Sequence, residues 1–302
     1  MKGGGKIDYT LGGVELENWL RYLENRGRRP RTLEAYRYAV LSAQRFWSSN
    51  GGPIRLRAVS LTDLESWSRH LQDRGVAPIT KEFYLLPLKA FYWWMERRGL
   101  IFRDPSQNLI VFRASRHLHD VVIERDVVRL LESIDGQTPV DLRDRAIIEI
   151  AYGAGLRCAE IAGLEVKSID VAQRVVTVNG KGAKYRIVPL PRLAIEAIQR
   201  YFDQGRPKLV PIESNAMWSD KPHRQCKTMV RAVVKKRSQQ VGLDLTPHDF
   251  RRAFATHMLR RGASPIDLQR LLGHSSFRQM QHYLRYVIAD LKATHNRSRL
   301  SR

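Results

Sequence analysis

The stretch Thr246-Pro247-His248-Asp249-Phe250-Arg251 carries a strong helix-start signal. Threonine is a favoured N-cap residue, proline suits the first helical position, and an acid in the first turn interacts favourably with the helix dipole. On a 3.6-residue wheel the apolar side chains gather on one face, and the opposite face carries His248, Arg251, Arg252 and Ala255. We therefore predict a helix, ending near Gly262, that presents His248 and Arg251 together on a polar face.

A second helix follows with the same N-terminal signals and ends just before a histidine. It begins at Ser264-Pro265-Ile266-Asp267 and ends at Leu271-Leu272-Gly273, because glycine commonly follows the last helical residue. His274 therefore lies just past a helix C-terminus, and Tyr283 follows nine residues later. Both belong to the same candidate site as the preceding helix.

The chain upstream of these helices combines further helices with a β-hairpin. Two β-rich runs, residues 175–178 and 185–188, flank Asn179-Gly180-Lys181-Gly182, and an Asn-Gly pair between such runs predicts a hairpin. Arg157 lies in Gly155-Leu156-Arg157-Cys158-Ala159-Glu160, 24 positions before Lys181. Apolar periodicity predicts helices in this half over residues 124–133, 142–152, 192–203 and 223–241.

The first hundred residues have a helical pattern only. Apolar spacing predicts helices over residues 14–25, from Thr32 to Asn50, and over residues 80–98. Another helix opens with a capping box, Thr62-Asp63-Leu64-Glu65. This pattern predicts a four-helix unit.

The periodicity lapses at residues 113–120, which we interpret as a linker. We therefore expect a mainly α-helical chain with a small β-hairpin, made of a helical domain at residues 8–112 and a mixed α+β domain at residues 121–302.

The chain carries a formal charge of +22, from 52 Lys and Arg residues against 30 Asp and Glu residues. Both halves are basic, with +8 up to Arg113 and +14 after it, so no detachable basic tail explains the excess. A polyanion is the first expected partner, although a solvated arginine-rich surface would give the same composition. With 43% hydrophobic residues, the composition excludes a disordered or fibrous chain.

The cysteine and hydropathy patterns narrow the class of protein further. Cys158 and Cys226 form no CxxC pair and have no histidines at zinc-ligand spacing, which argues against a disulfide scaffold or a structural zinc site. His117 and His119 lack carboxylate or thiol neighbours, so we assign no metal ligand. No apolar stretch approaches the roughly 18 residues of a membrane span. We expect a cytoplasmic protein that acts where nucleic acid is found.

The short motifs, taken together in this order, resemble those of the tyrosine recombinase family, which includes phage-type integrases and Xer-type recombinases. Each motif is weak alone, and their order and spacing make the resemblance specific. The motifs are Gly-Leu-Arg-x-x-Glu at 155–160, Gly-Lys-Gly at 180–182 leading into Val188-Pro189-Leu190, His-x-x-Arg at 248–251, and Leu-Gly-His at 272–274 with Tyr283. The first block resembles, more loosely, the family's helical, SAM-like core-binding domain.

The resemblance implies a site-specific DNA recombinase that cleaves and rejoins strands through a 3′-phosphotyrosyl intermediate and a Holliday junction. By this resemblance Tyr283 is the nucleophile, and Arg157 and Arg251 bind the phosphate through paired hydrogen bonds. Lys181 would protonate the leaving 5′-oxygen. No cofactor or metal is implied, because the phosphotyrosyl link stores the energy of the broken bond.

The resemblance also assigns His248 as a general acid/base and His274 as a hydrogen-bond donor to the phosphate. Lys184 competes with Lys181, and Tyr286 competes with Tyr283; we prefer Lys181 and Tyr283 because they occupy the matched positions. Tyr286 is expected to serve in packing.

Two further positions bear on the site. Glu160 is expected to support the Arg157 region through a charge-assisted hydrogen bond rather than to act in the chemistry. Arg252 stands where the family usually has histidine, and we expect this departure to leave activity intact.

The resemblance implies duplex DNA carrying a recombination site as the partner, with the protein forming a homotetramer in the synaptic complex. An accessory DNA-bending protein or a related recombinase is a further expected partner, and the tail after Tyr283 is expected to dock on a neighbouring subunit. The location expected is the cytoplasm, in association with the nucleoid. Candidate DNA contacts in the first block are Arg31, Thr32, Lys81 and Lys89.

Two other classes of function remain as alternatives at this level. A type IB topoisomerase would share the nucleophile chemistry but relax supercoils without a defined site. A non-catalytic DNA-binding regulator would keep the charge and lose the nucleophile or the arginines. The filled catalytic positions argue against the regulator, and the short chain and Xer-like spacings argue against the topoisomerase.

Overall fold

The computed structural model describes residues 13–52, 55–111, 120–179, 185–274 and 276–297. The chain divides into two compact units, Met1–His117 and Leu118–Arg302. Lys181 and its competitor Lys184 lie outside the described residues, as does the predicted linker apart from its last residue.

The first unit contains four α-helices among its described residues: α1 (Gly13–Asn25), α2 (Pro30–Ser49), α3 (Leu61–Asp73) and α4 (Pro78–Arg97). Apolar side chains at helical spacing on each helix meet in one core, where the large rings Trp19, Trp47, Phe91 and Tyr92 are buried. Trp47 also donates its indole N–H to the Asp63 carbonyl at 2.8 Å, which ties α2 to α3.

The predicted start of α3 is wrong by two residues. Ser60, not Thr62, is the N-cap: its hydroxyl accepts from the Asp63 N–H at 3.2 Å, and the Asp63 carboxylate accepts from the Ser60 N–H at 2.8 Å. Both Ser-x-x-Asp and Thr-x-x-Glu fit a capping box, and the structure forms the first of them.

The second unit combines helices with one small sheet. The described elements, in chain order, are α5 (Glu124–Glu132), α6 (Pro139–Gly153), α7 (Cys158–Ala162), β1 (Ile169–Asp170), β2 (Val175–Asn179), β3 (Tyr185–Pro189), α8 (Arg192–Arg200), α9 (Arg206–Leu209), α10 (His223–Gln240), α11 (Pro247–Arg260), α12 (Pro265–Leu272) and α13 (Arg278–Arg297). The predicted helix over residues 192–203 is interrupted, since a π-helical turn over Tyr201–Gly205 joins α8 to α9.

The sheet is antiparallel with the order β1-β2-β3, and Val176 pairs with Val188 in the predicted hairpin. Val176, Val178 and Val188 point into the main core of the unit, where they join the apolar faces of α6, α8 and α10. Helix α6 starts at Pro139, earlier than predicted, because Thr138 and Asp141 form a capping box.

Helices α11, α12 and α13 form a separate small core that positions the candidate nucleophile. Ala255 and Leu259 on α11, Leu268 and Leu272 on α12, and Met280 and Tyr283 on α13 are buried against one another. Among the described residues, no helix has both the length and the hydropathy needed to cross a membrane.

Candidate active site

Arg157 is the N-cap residue of α7 and follows directly after a left-handed turn at Gly155, where φ is +58°. Its backbone N–H donates to Glu160 Oε2 at 2.8 Å, and its guanidinium Nη1 donates to Glu160 Oε1 at 2.8 Å. The expected contact between Glu160 and Arg157 is therefore present. The Arg157 side chain is still 40% exposed, so part of it remains open to solvent.

Arg251 lies behind Arg157 and is almost completely enclosed, with a side chain only 3% exposed. Its Nη1 donates to the Gly155 carbonyl at 2.6 Å, and its Nη2 donates to the Leu272 carbonyl at 2.7 Å. Burial, followed by the charge of Arg157, lowers the pKa of Arg251 to about 10, which leaves it cationic at neutral pH.

The predicted polar face of α11 is therefore wrong at two of its positions. Arg251 and Ala255 are buried, because α12 and α13 pack on this side of α11. A helical wheel identifies the apolar face of a helix, but it does not show whether other helices also pack against the opposite face. His248, at the start of α11, is exposed as predicted.

Three arginines from separate parts of the chain donate hydrogen bonds to backbone carbonyls at the C-terminus of α12. The carbonyls of Leu271, Leu272 and Gly273 accept from Arg186, Arg251 and Arg157 at 2.7, 2.7 and 3.2 Å. The last carbonyls of a helix have no partner within the helix and carry the negative end of its dipole, so cations are favourable there.

Gly273 is required at this place, because its φ is +62° and an added Cβ would lie 3.1 Å from Arg186 Nη1. The next residue, His274, is thereby directed back toward Arg251.

His274 is neutral and its tautomer follows from its partner. Burial, then the charges of Arg251 and Arg157, lowers the pKa of His274 to about 3. Its Nε2 lies 2.8 Å from Arg251 Nη2, and a guanidinium can only donate, so Nε2 accepts and the proton is assigned to Nδ1. This buried Nδ1–H has no hydrogen-bond partner within the described part of the chain. It is a donor available to an anion.

Tyr283 lies on α13 against this histidine. Its ring stacks on the His274 ring with centroids 5.9 Å apart and planes 11° apart, and the residue is 6% exposed. The α11–α13 packing, with the Arg260–Asp290 ion pair at 2.7 Å, holds this tyrosine beside the arginines of its own chain. Tyr286, three residues later, is half-buried.

His248 and Arg252 flank the site at the start of α11. The Arg252 guanidinium is paired with the Asp249 carboxylate, and Asp249 also caps the helix by accepting from the Thr246 N–H at 2.8 Å. The protein around the His248 ring removes part of its hydration, and together with the positive charge of Arg252 this lowers the pKa of His248. Arg252 is thus paired with the Asp249 carboxylate, and its positive charge favours the neutral form of His248.

Replacing Arg252 with Met is expected to raise the pKa of His248, because a nearby positive charge is removed while Asp249 stays. NMR titration of the His248 ring protons measures this directly. If neutral His248 is needed for DNA cleavage, the acid limb of the pH–rate profile moves to higher pH as well. Arg252→Lys, which keeps the charge, should leave the pKa near its wild-type value. A pKa that is unchanged or lower in Arg252→Met would contradict the prediction.

Replacing Gly155 with Ala is expected to destabilise the second unit by about 2–4 kcal/mol. The added Cβ would lie 2.4 Å from the Phe254 ring at a positive φ. Gly262→Ala is the matched control, because its φ is +87° but no atom lies within 4 Å of the added Cβ. It should cost only about 1 kcal/mol of strain. Urea unfolding of both variants tests this, and equal losses would show that the contact with Phe254 does not matter.

The candidate DNA contacts of the first unit have different surroundings. Arg31 is exposed and Thr32 is half-buried, both in the first turn of α2. Lys81 donates to the Gln72 side chain at 3.3 Å. Lys89 donates to the carbonyls of residues 107 and 109 at 3.3 and 2.8 Å, so two of its three donors are occupied in stabilising the segment after α4.

Arg186 is the residue of this site that the sequence analysis missed. It lies on β3, and both of its Nη groups donate hydrogen bonds to the Glu160 carboxylate, at 3.0 and 2.9 Å. The only feature of the sequence that could have pointed to Arg186 is its position in the strand after the Gly-Lys-Gly motif. This signal is weak, because arginine is common at half-exposed strand positions that have no role in a functional site.

Guanidinium groups, a buried histidine donor and a tyrosine meet here, a combination suited to binding a phosphate group beside a hydroxyl nucleophile. The comparisons with known proteins agree with this class. Residues 121–287 match the phage integrase family, and residues 16–99 match the phage integrase N-terminal SAM-like domain. Tyrosine recombinase XerD of Shewanella oneidensis is 32% identical over 278 residues, covering 90% of this chain and 91% of that protein.

Tyrosine recombinase XerC of Mycobacterium tuberculosis is 37% identical over 221 residues, covering 70% of this chain and 74% of that protein. The chain therefore belongs to the phage integrase family and is a site-specific tyrosine recombinase.

Solved structures share the fold. XerH site-specific recombinase bound to palindromic difH substrate has a TM-score of 0.73 at 20% identity, covering 93% of this chain and 83% of that one. The Tn1549 transposon integrase in complex with circular intermediate DNA has a TM-score of 0.67 at 22% identity, covering 89% of this chain and 94% of that one.

Proposed function

We propose that this recombinase cleaves and rejoins DNA at a specific duplex site, with Tyr283 as the nucleophile. The observation that carries the assignment is the stacking of Tyr283 on His274, whose other neighbour is the phosphate-binding candidate Arg251. A nucleophile, two cations and a neutral donor thus converge at one place in one chain. Arg157 supplies the exposed cation at the entrance of the site.

The proposed reaction exchanges one phosphodiester for another. The Tyr283 hydroxyl oxygen attacks the scissile phosphorus, the P–O5′ bond breaks, and a 3′-phosphotyrosyl link forms. The tyrosine proton passes to His248, and the leaving 5′-oxygen takes a proton from Lys181. Attack by a 5′-hydroxyl of the second duplex reverses these steps, and two rounds of exchange pass through a Holliday junction.

Charge stabilisation is assigned to the arginines and to His274. Negative charge grows on the two non-bridging oxygens in the transition state, and preorganised donors at that position lower the barrier. Part of the Arg157 side chain is open to solvent, and the His274 Nδ1–H lacks a partner among the described residues. Arg251 contributes charge from behind them.

The positive charge of both halves supports contacts of each unit with the phosphates of a duplex. In the first unit we favour Arg31 and Thr32, near the N-terminus of α2, as DNA contacts, and we also propose Lys81. Lys89 is the weaker candidate, because two of its three N–H donors already bind backbone carbonyls.

We further propose a homotetramer in the synaptic complex, an accessory DNA-bending protein or related recombinase as partner, and a nucleoid location in the cytoplasm.

The test uses nicked duplexes drawn from the DNA that flanks the gene, each with the nick near a candidate crossover position. Cleavage then releases a short fragment and traps the protein on the DNA. The expected result is an adduct that resists denaturant, carries a label placed on the fragment 5′ of the break, whose 3′ end is joined to the protein, and yields a peptide modified at Tyr283. Adducts on any sequence, with relaxation of supercoiled DNA that lacks the site, would favour a topoisomerase; binding without an adduct would favour a non-catalytic regulator.

A further inference from the structure

We propose that Arg186 is a positioning residue for DNA cleavage: it holds Glu160 and the C-terminus of α12 so that Arg157 and His274 face the scissile phosphate. This inference rests on the proposed function. It concerns a residue of β3 that is not one of the proposed catalytic residues.

Glu160 is the point at which Arg186 acts on Arg157. Its Oε1 accepts from Arg157 Nη1 at 2.8 Å and from Arg186 Nη1 at 3.0 Å, and its Oε2 accepts from Arg186 Nη2 at 2.9 Å. The Glu160 side chain is only 9% exposed, so little water can replace a lost partner. Burial would raise the pKa of Glu160, but hydrogen bonds from Arg186 and Arg157 lower it below the ordinary value, and the carboxylate stays charged.

The second contact of Arg186 reaches the loop that carries His274. Its Nε donates to the Leu271 carbonyl at 2.7 Å, at the last turn of α12. The guanidinium also lies against Gly273, where any Cβ would meet it at 3.1 Å. One planar group therefore fixes both the acid that orients Arg157 and the backbone that precedes His274.

The surroundings of Arg186 favour positioning over direct contact with DNA. Each of its three guanidinium nitrogens already donates within the chain, and its side chain is 14% exposed against 40% for Arg157. Arg186 is therefore less accessible to a phosphate than Arg157 is.

The effect on the reaction follows from this geometry. Without Arg186, Glu160 loses the guanidinium that donates to both of its oxygens and keeps the hydrogen bond from Arg157 and the longer ion pair with Arg251 at 4.0 Å. Arg157 is then free to turn toward the carboxylate or away into solvent. A misplacement of about 1 Å in a catalytic group can cost on the order of 10²-fold in rate. We therefore expect Arg186→Met to slow single-turnover cleavage by about 10- to 100-fold.

A double-mutant cycle tests whether Arg186 acts through Arg157. The variants are Arg157→Ala, Arg186→Met and the double variant, compared on the nicked duplex at a temperature at which all are folded. If Arg186 acts through Arg157, adding Arg186→Met to Arg157→Ala slows cleavage less than about threefold. Multiplied effects would overturn the action through Arg157, because a direct phosphate contact, a general loss of folded protein and an effect on His274 alone would all act independently of Arg157.

A substrate change gives a second readout that a purely structural role would not move. A methylphosphonate at the scissile position lacks one negative oxygen and so needs less cationic stabilisation. Arg157→Ala and Arg186→Met should regain activity on this substrate in parallel. Recovery of Arg157→Ala alone would contradict the proposal. Arg186→Lys keeps the charge but cannot bind both carboxylate oxygens, and it should remain slow on the normal phosphate.

A measurement on the free protein separates this inference from the proposed function. The Nε–H signal of Arg157 can be observed by NMR and is assigned by its absence from the spectrum of Arg157→Lys. This signal should shift and broaden in Arg186→Met. An unchanged signal would overturn the positioning role even if wild-type protein cleaves DNA. Failure of the wild type to form the Tyr283 adduct would instead overturn the proposed function, with the NMR result still deciding the link between the two arginines.

Discussion

Replacing Tyr283 with Phe is expected to abolish formation of the covalent DNA adduct, a loss on the order of 10⁴-fold or more in cleavage rate. The hydroxyl oxygen supplies the bond to phosphorus, and no other group in the site can take its place with the same geometry. The ring that stacks on His274 is preserved, so the fold and the affinity for DNA should stay close to wild type. Gel analysis under denaturing conditions measures the adduct, and a binding assay at fixed salt measures affinity.

Tyr286→Phe is the matched control, since it removes a hydroxyl one helical turn further along α13. This variant should cleave at nearly the wild-type rate. An adduct that persists in Tyr283→Phe and disappears in Tyr286→Phe would move the nucleophile to the second tyrosine. Loss in both variants would point to damage of α13 packing.

Replacing Arg251 with Met is expected to reduce both catalysis and stability. Cleavage should slow by a factor on the order of 10³, as for the removal of a preorganised charge-stabilising donor. The carbonyls of Gly155 and Leu272 would lose a buried donor, and each such loss costs about 1–3 kcal/mol. Relief of the repulsion with Arg157 offsets part of this. We expect the free energy of unfolding to fall by about 1–3 kcal/mol, measured by urea denaturation.

Arg157→Met provides the comparison that separates the two effects. Its side chain is 40% exposed and is not enclosed like that of Arg251, so catalysis should fall while stability changes little. Arg251→Lys keeps a positive charge but cannot reach both carbonyls, and it should recover only part of the activity. Cleavage by Arg251→Met within about threefold of wild type would remove Arg251 from the proposed phosphate site.

The neutral state of His274 is a property of the free protein. Its pKa is about 3 because burial and the surrounding arginines disfavour a further charge. A bound phosphate brings negative charge among these cations and therefore raises the pKa of His274. The Nδ1–H donor is present in both the neutral and the protonated form of the ring, so a hydrogen bond to the phosphate does not require protonation of His274.

Local sequence signals were sufficient for most of the fold. The apolar periodicity of α1, α2, α4 and α10 and the Asn-Gly turn predicted elements close to the observed ones, because these signals concern residues within a few positions of one another. Capping residues were less decisive. Two overlapping capping patterns fit the start of α3, and the structure uses the one that begins at Ser60.

The chemistry of the site was readable from the order of its motifs. Arg157, His248, Arg251, His274 and Tyr283 were named through the resemblance of these motifs to the tyrosine recombinase family, and four of them meet in the structure around the end of α12. The role of each remains a proposal that the variants above test. The position of Lys181 lies outside the described residues.

The burial of Arg251, the tautomer of His274 and the part played by Arg186 came from tertiary contacts alone. Each depends on atoms that lie 21 to 96 positions apart along the chain. Helix periodicity and capping act between near neighbours, so the amino-acid order was enough to predict helices and to list reactive side chains. The electrostatic environment of a side chain is set by whatever the fold brings against it. For that reason the exposed arginine, the enclosed arginine and the positioning arginine could be distinguished only in the folded protein.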